Sequence, residues 1–109
     1  MAIAVKYDVL FYGGTDGYGL GQRASIRVYD EAMNLLAVIK FYDSGRAIPA
    51  DHEERFPPHQ RMHLPSHMFA SVLDVLRNEG PIHCYVGRGR TITFLGTQAQ
   101  GEEVGEGER

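Results

Sequence analysis

At 109 residues, 43% of them hydrophobic and 23% charged, the chain supplies one small globular core and is too short for a second domain. Its net charge of −3 belongs to residues 98–109, where four glutamates face Arg109; residues 1–97 carry ten acids and ten bases, a neutral body without the positive field of a strong nucleic-acid binder. No apolar run nears the ~20 residues that span a bilayer, and Cys84 is the only cysteine, which excludes a membrane-spanning helix, an intramolecular disulfide and a cysteine-rich zinc site.

Residues 3–12 alternate, with Ile3, Val5, Tyr7, Val9 and Phe11 on one side and Lys6, Asp8, Leu10 and Tyr12 on the other, which predicts a strand. The strand meets a charge too early to be a signal peptide's apolar region, and a cytoplasmic location is expected. Residues 13–21 are too rich in glycine to be anything but a loop. Residues 22–30 read as a second strand, with Ala24, Ile26 and Val28 opposite Ser25, Arg27 and Tyr29, and residues 30–34 as a hairpin turn. Residues 35–42 are apolar on both faces until Lys40, the mark of a central strand. Residues 43–63 hold Pro49, Pro57 and Pro58 among charges with no sustained period, so a long loop and first candidate site is expected. Phe69, Val72, Leu73 and Leu76 then mark one helix face, with Pro65 suited to its first turn and Gly80-Pro81 ending it. Strands follow at 82–86 and 91–95, joined by a turn at 87–90, and the Gly/Glu stretch 98–109 is expected to be disordered. The predicted fold is α+β, a single domain over residues 1–97: an antiparallel sheet of about five strands, β-β-β-α-β-β, with one helix packed on one face.

One short helix covers only one face of such a sheet. The other face is expected to display Tyr12, Arg27, Tyr29, Lys40, Tyr42 and Tyr85, a surface that wants a partner. Tyrosines on a sheet serve as platforms for single-stranded bases, and equally as rigid anchors at protein interfaces. The neutral body and Asp8 on the same face favour the protein interface.

The catalytic motifs fail one by one. Gly17-Tyr18-Gly19-Leu20-Gly21 falls one residue short of a dinucleotide fingerprint and leads into a strand, where no helix N-terminus receives a pyrophosphate. The glycine loop followed by Ala37-Val38-Ile39-Lys40 resembles the opening of a protein kinase's N-terminal lobe over about a quarter of the chain. His-Arg-Asp and Asp-Phe-Gly are both absent, so nothing in the chain would hold magnesium or accept the proton. His59, His63 and His67 are spaced by four, but Pro57, Pro58 and Pro65 bar a continuous helix through them, and solvated loop histidines are expected. Cys84 sits between Ile82 and Val86 as a buried, inert thiol, and His83 next to it points the other way.

The sequence therefore predicts an interaction module rather than an enzyme, homodimeric through its open sheet face, with no cofactor, no metal and no membrane partner. A single-stranded nucleic-acid binder using the tyrosine/arginine face is the alternative, and a small metal protein or enzyme using the histidine loop the third. Tyr18, Arg46, His52, His59 and His63 are the loop residues expected to shape any pocket.

Overall fold

The computed structural model describes residues 2–14, 21–79, 81–85 and 94–96. In chain order the elements are β1 (Ala2–Ala4), β2 (Lys6–Phe11), β3 (Gln22–Tyr29), β4 (Leu35–Tyr42), β5 (His52–Arg55), β6 (Pro58–Pro65), a 3-10 turn (Ser66–Met68), α1 (Phe69–Asn78), β7 (Ile82–Tyr85) and β8 (Phe94–Gly96). They form a five-stranded sheet in the order β2-β3-β4-β6-β5 and a three-stranded sheet in the order β1-β7-β8.

The α+β class, the helix and a mostly antiparallel sheet of five strands match the sequence expectation; the membership of that sheet does not. Residues 43–63 are not one long loop: only residues 43–51 are irregular, and residues 52–63 supply β5 and most of β6, which pair antiparallel with each other. β6 then lies parallel to β4, so the sheet is mixed. The segment reads as irregular because the residues it buries are not all apolar. Along β6 the side facing the core carries Gln60, Met62 and Leu64, and the other side carries His59, Arg61 and His63. β7 leaves the large sheet and pairs with β1 and β8. Residues 91–93 of the predicted last strand, the 87–90 turn, Tyr18 and the 98–109 stretch lie outside the described residues.

β4 is central, as its two apolar faces require, with β3 on one side and β6 on the other. Its hairpin with β3 closes through Asp30, whose carboxylate accepts the backbone N–H of Asn34 at 2.8 Å and its side-chain amide at 3.0 Å. Those two bonds lower the pKa of Asp30.

The core forms on one face of the large sheet. Ala24, Ile26, Val28, Ala37, Ile39, Phe41 and Met62 are buried there, with Cys84 contributed by β7. The helix closes this side with Phe69, Val72 and Leu76. The Phe69 ring meets Phe11 and Phe41, each at 5.1 Å between centroids, the Phe41 pair edge-on. Burial pushes the Cys84 thiol up to about 11, so it is inert as expected.

Candidate functional site

Strand alternation turns the remaining side chains to the outer face, away from α1. Register gives this face its rows. Asp8, Arg27, Val38, Arg61 and His52 follow one another across all five strands, and Ser25, Lys40 and His63 follow across the three inner ones. Of the residues expected on the open face, Arg27, Tyr29, Lys40 and Tyr42 lie on it. Tyr12 directly follows β2 and bonds its backbone N–H to the Arg23 carbonyl at 2.9 Å. Tyr85 is not part of the face, because β7 belongs to the other sheet.

The loop candidates divide. His52, His59 and His63 come onto the outer face because their segment is a hairpin, and His59 and His63 are buried rather than solvated. Arg46 sits elsewhere, beside Gly21, where a Cβ would fall 2.5 Å from its Nε. Gly21 also has a φ of 79°, so the backbone favours glycine there, while the crowding comes only from the Arg46 side chain.

Half of the face is closed on itself. The Tyr42 hydroxyl is 2.7 Å from His63 Nδ1, His63 Nε2 is 3.2 Å from His52 Nδ1, and His52 Nε2 is 3.0 Å from Glu54 Oε1. The carboxylate only accepts, so His52 Nε2–H donates to it. With His52 neutral, its Nδ1 accepts from His63 Nε2–H, and His63 Nδ1 accepts from the Tyr42 O–H. The result is a directed chain of three hydrogen bonds that joins β4, β6 and β5. His63 is stacked on His52 with 18° between rings, and its backbone N–H is taken by the Asp51 carboxylate at 2.8 Å. Burial, helped by the charges of His52, Lys40 and Arg61 and opposed by Asp51, pulls the pKa of His63 down to about 4. The hydrogen bond from His52, then the charge of Arg61, lowers that of Glu54. His59 donates from Nδ1 to the Pro57 carbonyl at 2.6 Å and accepts Arg61 Nε–H at 3.2 Å. Tyr42, only 2% exposed, is an internal strut rather than a platform.

The other half is open. Asp8 takes both arms of the Arg27 fork at 2.8 Å and the Tyr29 hydroxyl at 3.1 Å, which fixes all three side chains on the surface. The bond to Asp8 holds the guanidinium above its ordinary pKa, while burial, then the same carboxylate, raises that of Tyr29. Sequence reasoning missed this pairing, though Asp8 and Arg27 both alternate onto the predicted face.

Among the described residues no three His, Cys, Asp or Glu side chains are gathered to hold a metal ion. No described helix is long and apolar enough to cross a membrane. Compared with protein-family models, with curated proteins and with solved structures, the chain matches none.

Proposed function

We propose that this chain is a cytoplasmic, non-enzymatic interaction module that forms a homodimer through the outer side of its large sheet, at the β2–β3 half. The observation that carries this reading is the state of the arginines. Arg27 is forked onto Asp8, and Arg61 lies 3.5 Å from Glu54 and bonds His59, so neither presents a free guanidinium to a phosphate. A face whose charges are already matched suits a protein surface better than a nucleic acid. At the β2–β3 half Arg27 and Asp8 keep about half of their side-chain surface exposed, 55% and 45%. The histidine and tyrosine groups that invite a catalytic reading are engaged with one another across strands, which supports a structural role for them.

A stable two-fold interface buries about 800 Å² per subunit. Sedimentation equilibrium of the full chain tests the reading. A dimer is expected at micromolar concentration, with Tyr29→Ser and Lys40→Glu each raising its Kd about tenfold or more while the far-UV spectrum stays unchanged. A monomer at all concentrations to 1 mM, together with a salt-dependent shift on adding a single-stranded oligonucleotide, would replace this reading with the nucleic-acid alternative.

A further inference from the structure

With both histidines neutral, the hydrogen bonds run from the Tyr42 hydroxyl through His63 and His52 to the Glu54 carboxylate. One contact does not fit that direction. The Ala50 carbonyl oxygen lies 3.4 Å from His52 Nδ1, the nitrogen that carries no hydrogen in this state. A carbonyl only accepts, so two lone pairs face each other there. A hydrogen on Nδ1 turns the contact into a bond. His52 then donates from Nε2 to Glu54 at 3.0 Å, and from Nδ1 toward Ala50 at 3.4 Å and His63 Nε2 at 3.2 Å.

The rest of the chain of bonds is able to follow. An imidazole and a hydroxyl each donate or accept, according to where the hydrogen sits. We infer that the chain of bonds reverses on taking up one proton: His52 becomes the cation, His63 exchanges one neutral tautomer for the other, and the Tyr42 hydroxyl turns from donor to acceptor. The protons balance. The hydrogen on His63 Nε2 passes along its bond to His52 Nδ1, and His63 Nδ1 takes one from water, a net gain of one. His63 Nδ1–H then donates to the Tyr42 oxygen across the same 2.7 Å. A change at the edge strand β5 thus reaches the central strand β4 while the rings keep their places.

His52 is the member placed to hold the charge. Its side chain is 44% exposed and lies against a carboxylate, whereas His63 is buried. Around the two rings stand Glu54 from β5 and Asp51 just before it, Arg61 and His59 from β6, and Lys40 from β4, opposite His63 in register. Arg61 is 3.5 Å from Glu54 Oε1 and donates to His59, and Asp51 accepts the His63 backbone N–H. A second proton finds no such arrangement, because N–H would face N–H across 3.2 Å. Burial, then the charge of His52, pulls the pKa of His63 down to about 4, which keeps it neutral while the direction changes.

Ring 15N chemical shifts of the full chain, followed against pH, read this direction, since a nitrogen with hydrogen and one with a lone pair resonate far apart. At about pH 8 both rings are neutral, and hydrogen is expected on His63 Nε2 and none on Nδ1. As His52 becomes charged, the two His63 signals should exchange places with the same midpoint, and the Ala50 carbonyl carbon should shift with them. Only at lower pH should both His63 nitrogens carry hydrogen. In His52→Leu the exchange of places is expected to be lost, His63 passing directly from its Nε2–H form to the cation. Should that variant lose its far-UV spectrum, the native titration alone decides. A His63 that keeps its hydrogen on Nε2 throughout the charging of His52, or already holds it on Nδ1 at high pH, overturns the reversal. So does a pair of rings that gains both charges at one midpoint. None of these outcomes depends on a second copy.

Discussion

His63 accepts a hydrogen bond from the Tyr42 O–H on one side and donates one to His52 on the other, so its neutral form is built into the sheet. Replacing Tyr42 with phenylalanine keeps the ring and removes the donor to a buried imidazole nitrogen. The expected cost is about 1–3 kcal/mol in urea denaturation. Adding His63→Leu to that variant should recover part of the loss, because both unsatisfied partners are then gone. The same residue sets a dependence on pH. Its folded pKa of about 4 lies below the ordinary 6.5, so between those values the unfolded chain binds the extra proton. Its contribution to stability is thus fully present above about pH 6.5 and lost as pH falls toward 4. The midpoint urea concentration of the native chain should drop across that window, and that of His63→Leu should drop less. A native chain with no slope there would contradict the network.

Among the elements, α1 and β6 show how far alternation and periodicity can be trusted. The helix is legible because Phe69, Val72 and Leu76 repeat on one face and all three pack against the core. Phe69 is the contact that matters most, since its ring touches both Phe11 at the sheet edge and Phe41 at the centre. Phe69→Ala is expected to destabilise the fold by about 2–4 kcal/mol, less than a wholly buried ring because Phe69 keeps some exposure, and Phe69→Leu by roughly half as much. Chemical denaturation followed by far-UV circular dichroism measures both. β6 was not legible for a physical reason. A strand with Gln60 on its buried side and His59, Arg61 and His63 on the other has almost no hydropathy contrast between its faces. Its partner β5 carries no apolar residue at all, and the two find each other through ladder bonds and a turn rather than through burial.

For the molecule as a whole, the outer face could be written down from β2, β3 and β4 because each alternates cleanly, and Arg27, Tyr29, Lys40 and Tyr42 fell where the period put them. Tyr85 did not, since nothing within a short apolar strand says which of two sheets it joins. The histidines followed the strand that had been missed, and with them came the distinction between a closed half of the face and an open one. The two edges of the large sheet follow the same logic: β5 is wholly polar, while β2 carries the exposed Leu10 and Phe11.

The N-terminal run also ties the two sheets together, with β1 and β2 separated by Val5 alone. β2 finds β3 soon after both are made, but β1 pairs with residues 82–84, nearly the whole chain away. On a ribosome residues 2–4 would therefore wait unpaired until residues 82–84 emerge. Closure of the small sheet is then a long-range event, and in the interval a nascent chain carries β1 without its partner beside its neighbours on the same message.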